Sequence, residues 1–163
     1  MKIARELGAL AISAAVAVGL ANPAVAGGPT SPTSPTVPVP AAPGGELSGI
    51  YTFTVDSGNT TTWTITPCGP GCAAVAATNS SAGNRPYTGQ AQLAGDSWNM
   101  TADRADALTC DDNSRAPGTT TYSWGAATLS GTAFSQGTPG TCGSTDPDGL
   151  RGPTSKFTLT KVD

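Results

Sequence analysis

The chain of 163 residues contains no histidine and four cysteines, and those two facts limit its chemistry before any fold is considered. Without an imidazole, the ordinary general base of serine and cysteine hydrolases is missing, and so are most catalytic zinc sites. The many Ser and Thr hydroxyls therefore have no activator. A Ser–Lys pair needs a lysine whose pKa is depressed by burial, and Lys156 and Lys161 fall in a terminal strand pattern with no buried neighbourhood around them.

The acids offer three candidates. Val55-Asp56-Ser57-Gly58 places Asp-Ser-Gly after an apolar run, as around the catalytic carboxylate of aspartic peptidases. Asn59 follows where that family has Ser or Thr, and a dyad sharing one proton needs a second copy that the chain lacks. A tight turn explains the same residues. Asp103, Asp106, Asp111 and Asp112, with Asn113, are the right residue types for calcium but lack the spacing that gathers six to eight oxygens. Asp146-Pro147-Asp148-Gly149 begins like a calcium loop, with Phe157 where the closing glutamate belongs. Both acidic stretches read as solvated turns. The sequence thus predicts no catalytic residue, no metal and no cofactor; a carboxylate-dependent hydrolase such as a glycosidase stays as an alternative, because two acids alone suffice there.

The four cysteines, Cys68, Cys72, Cys110 and Cys142, read as two structural disulfides. Three pairings are possible. The preferred one joins Cys68 to Cys72 across Gly69-Pro70-Gly71 and Cys110 to Cys142 around a Gly- and Ser-rich stretch. Cys68-Gly-Pro-Gly-Cys72 differs from the thioredoxin redox motif by one extra residue between the sulfurs and by the lack of a following helix to lower a thiol pKa.

The remaining candidates are aromatic: Tyr51, Trp63, Tyr87, Trp98, Tyr122 and Trp124. Each sits in a strand-like alternation, so in a closed barrel these rings point inward. There they either fill the interior or line a space for one small apolar ligand.

The elements that must position these rings are strands. Tyr51, Phe53 and Val55 alternate with Thr52 and Thr54, and Trp63 and Ile65 alternate with threonines. The period of two continues through Tyr87, Ala91 and Leu93, Trp98 and Met100, Tyr122 and Trp124, Leu129 and Ala133, and Phe157 and Leu159. One-sided alternation belongs to antiparallel sheets, and Asp56-Ser57-Gly58-Asn59, Gly95-Asp96 and Gly125-Ala126 supply hairpin turns. The fold class is therefore all-β: an antiparallel meander of seven to eight strands, closed into a small up-and-down barrel, with a β-sandwich as the alternative. Leu-Ser-Gly or Leu-Ala-Gly recurs at 47–49, 93–95 and 129–131. The uneven spacing marks recurring strand chemistry, in which Gly lets a neighbouring backbone or ring come close.

Upstream, residues 1–26 have the design of a secretory signal: Lys2 and Arg5, an apolar run from Leu7 to Leu20, and Ala24-Val25-Ala26 before the cut. Residues 27–45 form a Pro/Thr/Gly-rich linker with nothing large to bury. The all-β domain is expected over 46–163. No membrane span is expected after signal cleavage. Nucleic acid is excluded as a partner, because Arg85, Arg104, Arg115, Arg151, Lys156 and Lys161 are scattered and outnumbered by acids.

Cys-Gly-Pro-Gly-Cys-Ala at 68–73, Tyr-Ser-Trp at 122–124, Gly-Thr-Cys-Gly at 140–143 and the closing Phe-Thr-Leu-Thr-Lys-Val resemble small exported proteins of mycobacteria and related actinobacteria. The meander, with Gly49-Ile50-Tyr51 near its first strand, also looks like the lipocalin and avidin type of barrel, where Gly-x-Trp stands. The first resemblance implies a secreted or cell-envelope-associated protein with disulfides and adds no site residue. The expectation is a non-enzymatic barrel that binds a small apolar molecule or a partner's surface, such as an envelope or host protein. The alternative is a structural or interaction protein of the envelope with a filled core.

Overall fold

A computed structural model describes residues 46–162. The signal and linker expected over 1–26 and 27–45 lie outside the described residues. Eight strands follow one another: β1 (Gly49–Val55), β2 (Thr60–Gly69), β3 (Cys72–Thr78), β4 (Tyr87–Ala94), β5 (Ser97–Thr109), β6 (Arg115–Gly125), β7 (Ser130–Gln136) and β8 (Ser155–Lys161). Each pairs antiparallel with the next, and β8 returns to β1, so that Tyr51 lies opposite both Trp63 and Lys161. The barrel, rather than the sandwich, is the architecture, and closure leaves no unpaired sheet edge.

Alternation explains each wall. In β1 Tyr51 and Phe53 are buried while Ile50, Thr52 and Thr54 are partly or fully exposed; in β2 Thr61, Trp63 and Ile65 are buried. Turn residues do what their backbone allows. Gly58 (φ 85°) closes the β1–β2 hairpin with its N–H on the Val55 carbonyl at 2.8 Å, and Gly95 (φ 60°) starts the two-residue β4–β5 turn. Gly131 answers to packing. It pairs with Trp124 across β6 and β7, and a Cβ there would meet the Trp124 Cα at 2.6 Å.

The strand pattern needs three corrections. Strand β3, Cys72-Ala-Ala-Val-Ala-Ala-Thr78, stands apart from the alternating pairs read from sequence. Leu129, expected on a strand face with Ala133, sits in the β6–β7 turn at φ 52°. Strand β5 runs on to Thr109, so Asp103 and Asp106 belong to a strand and not to a solvated turn. Asp103 faces out and accepts from the Thr119 hydroxyl at 2.9 Å, whereas Asp106 is buried. Asp112 and Asn113 do form a turn, and the Ser114 hydroxyl and amide hold the exposed Asp112 carboxyl below its ordinary range.

Both disulfides form as the preferred pairing. Cys68–Cys72 staples the β2–β3 hairpin, and Cys110–Cys142 ties the β5–β6 turn to the connection between β7 and β8. The two ends of the barrel differ. At one end the short β2–β3, β4–β5 and β6–β7 turns surround packed side chains: Leu47, Tyr51, Ile65, Val75, Trp98, Trp124 and Leu159 are all buried. Strand β1 begins and β8 ends there, with the Val162 amide on the Ile50 carbonyl at 2.8 Å. At the other end lie the β1–β2, β3–β4 and β5–β6 connections and the long 137–154 segment.

Candidate functional site

That second end is open. Where the closed end presents Trp98, Trp124 and Leu159 inward, the corresponding inward positions near the mouth carry smaller side chains: Thr61, Thr120 and Ala133. The space they leave is a cavity of about 810 Å³, within the size range of small-molecule sites. Phe53, Tyr87, Arg104, Thr120 and Tyr122 face it from the barrel interior, Leu108 and Ala133 from the walls, and Leu150, Arg151 and Ser144 from the 137–154 segment at the rim. Cys110 and Cys142 also border it, so the disulfide pins that segment beside the mouth.

The floor is a layer of rings. Trp63 is fully buried, stacked on Phe53 at 4.7 Å and edge-on to Tyr122 at 5.4 Å and Trp124 at 5.8 Å. Phe157 closes the layer, 4.6 Å from Phe53. Such offset and edge contacts suit the ring quadrupoles. The indole N–H of Trp63 donates to the Tyr87 hydroxyl at 3.1 Å, which satisfies its one polar atom inside the core.

Above this layer stands a charged group that the hydrophobic pattern does not announce. Arg104 lies on β5 just before the ladder slips against β6, where the spacing from Arg104 to Leu108 is matched by only Gly118 to Ala116. A bulge of this kind bends the strand and re-aims its side chains. The Arg104 guanidinium lies over the Tyr87 ring at 4.6 Å, and one terminal nitrogen donates to Asp106 Oδ1 at 3.2 Å. The other oxygen of Asp106 accepts the Arg85 backbone N–H at 2.6 Å. Burial works against the charge of Arg104, but Tyr122, Tyr87 and Asp106 outweigh it and hold the pKa above its ordinary value. On the neighbouring strands β6 and β7 the Thr120 and Ser135 hydroxyls bond each other at 2.8 Å.

Burial pushes the Tyr87 phenol well above its ordinary value of 10.0; Tyr122 adds to the rise, while Arg104 and the Trp63 N–H oppose it. The folded state therefore holds a proton that the unfolded chain releases above pH 10. The stability associated with the neutral phenol is fully present below about pH 10 and is lost as pH rises further, at up to about 1.4 kcal/mol per pH unit. Urea unfolding at stepped alkaline pH should show this decline, with a shallower slope in Tyr87→Phe; equal slopes in the two proteins refute the assignment.

All six aromatic candidates read from the sequence point inward and are buried, but they do not form one site. Tyr87 and Tyr122 border the cavity. Trp63 lies in the layer beneath it, and Tyr51, Trp98 and Trp124 belong to the closed end, where the Tyr51 hydroxyl donates to the Ser48 carbonyl at 3.3 Å. Sequence reasoning missed Arg104, Thr120 and the rim segment. The one available signal was the parity of β5: counting by twos from Trp98 through Met100 and Ala102 reaches Arg104. The chain matches no protein-family model, no curated protein and no solved structure.

Proposed function

We propose that this protein is an exported, non-enzymatic β-barrel that takes one small, largely apolar molecule through its open end and works outside the cytoplasm, free or held at the cell envelope. The observation that carries this reading is the asymmetry of the interior: rings fill one half, and the other half leaves a cavity of about 810 Å³. A barrel serving only as a scaffold has no need of it, since an eight-stranded interior is narrow enough for side chains to fill throughout. Export is supported by the signal pattern at 1–26 and by the two disulfides, which persist in oxidising compartments. The non-enzymatic part rests on the lining, which among the described residues holds Asp111 as its only acid, and on the absence of histidine from the sequence, so that neither an acid–base pair nor an activated nucleophile is assembled from those residues.

The test is titration with N-phenyl-1-naphthylamine, a neutral apolar dye that brightens on leaving water. The expected result is saturable enhancement at one dye per barrel, confirmed as a 1:1 adduct by native mass spectrometry. It should be lost in Ser135→Trp, which places an indole in the cavity, while that variant keeps the cooperative unfolding of the parent. No enhancement in the parent protein sinks the reading and leaves the filled-core interaction protein in its place.

A further inference from the structure

We infer that the small molecule taken by this cavity carries a carboxylate, held against Arg104 at the base of the cavity; the inference rests on the ligand-binding reading above. The group that sets the chemistry there is Arg104, which can only donate, flanked by the Tyr87 and Tyr122 hydroxyls. Arg104 has five N–H bonds, and Asp106 meets it with a single oxygen, because the other oxygen of that carboxylate is engaged by the Arg85 backbone. The Nε of Arg104 is buried with no acceptor. The Tyr122 hydroxyl, in a residue 1% exposed, lies beside both the guanidinium and the Tyr87 phenol without a well-formed hydrogen bond to either. The Tyr87 oxygen already accepts from Trp63, and its proton faces the Tyr122 hydroxyl, so the two phenols are coupled beside the guanidinium.

A buried donor without a partner is costly, and the unpartnered Arg104 Nε, turned to the cavity beside two phenols, defines the missing chemistry as an acceptor. An ionised carboxylate fits, since it only accepts and its two oxygens match a guanidinium edge. Charge selects the same group. The chain is acidic overall, with 11 Asp and Glu against 8 Lys and Arg, yet the charged residues on the cavity are Arg104, Arg151 and Asp111. Asp106 already offsets part of the Arg104 charge, so a single negative charge is accommodated where a doubly charged phosphate would be desolvated without compensation. The apolar walls then take the rest of the molecule, which makes the ligand class an aliphatic or aromatic monocarboxylic acid.

Calorimetric titration with decanoate and with 1-decanol, which share a tail and differ in the head, tests this on the intact oxidised protein. Decanoate is expected to bind at least about tenfold more tightly than 1-decanol at neutral pH. Lowering the pH through the carboxyl pKa should erase the preference. The ratio should fall to within about threefold in Arg104→Met. Tyr122→Phe, which keeps the ring and removes the hydroxyl, should lower it partway and serves as the variant of record if Arg104→Met does not fold. Equal affinities, or a preference that survives both variants or the cavity-blocking Ser135→Trp, overturn the carboxylate assignment. If the neutral dye still binds in that case, the cavity reading stands alone; if neither dye nor decanoate binds, both fall.

Discussion

Replacing Trp63 by alanine is expected to lower the unfolding free energy by about 3–5 kcal/mol, the range for deleting a large ring from a packed core. The size of the loss follows from where the indole sits. It has no solvent exposure and contacts Phe53, Tyr122, Trp124 and Phe157, rings contributed by three other strands. Its removal opens a void beneath the cavity and strips the Tyr87 hydroxyl of its donor. Since single domains are stable by about 5–15 kcal/mol, the variant is expected to sit close to unfolding at ambient temperature. Trp63→Phe keeps a ring against Phe53 and should lose less. Urea denaturation of both variants measures the difference; a loss under about 1 kcal/mol for Trp63→Ala would show that the layer repacks around the gap and that the ring does not organise it.

The second large effect belongs to Cys110–Cys142. The two residues are 32 apart, and in the chain-entropy account a closed loop of that length contributes nearly 4 kcal/mol, against about 2 kcal/mol for the Cys68–Cys72 loop with its separation of 4. The double variant Cys110→Ala, Cys142→Ala should therefore lose roughly twice as much stability as Cys68→Ala, Cys72→Ala. Cys142 is exposed, so little of the difference comes from lost burial. The tether also borders the cavity, which separates this bond from the other in a second way: dye binding should weaken in the first double variant and persist in the second. Denaturant unfolding together with dye titration reads both effects. Equal losses of stability from the two pairs would argue that the 137–154 segment holds its place without the bond.

Much of this architecture was legible because large and small side chains alternate along most strands. Tyr51 and Phe53, Trp63 and Ile65, and Tyr122 and Trp124 announce their faces directly. Strand β3 gave no such signal: Ala73, Val75 and Ala77 are buried, but Ala74 and Ala76 between them are nearly the same size, so the period has no contrast. The far half of β5 was hidden differently. Its inward positions include Arg104 and Asp106, charged residues where the pattern elsewhere has apolar ones, so Asp-Arg-Ala-Asp reads as a polar loop although the period of two runs on to Leu108. The cavity was beyond reach for a third reason. Which inward residues share a level depends on the stagger between strands as the sheet closes, and only in the folded barrel do Thr61, Thr120 and Ala133 come to face the same space.

Both ends of the described chain leave the barrel at its packed pole, Glu46 leading into β1 and Val162 following β8. A resin, a label or a fused partner joined at Glu46 or Val162 is thus mounted behind the bowl, with the length of the strands between it and the opening. Immobilising the barrel at Glu46 or Val162 leaves its mouth turned toward the solution, and labels placed there report on anchoring without competing for whatever enters.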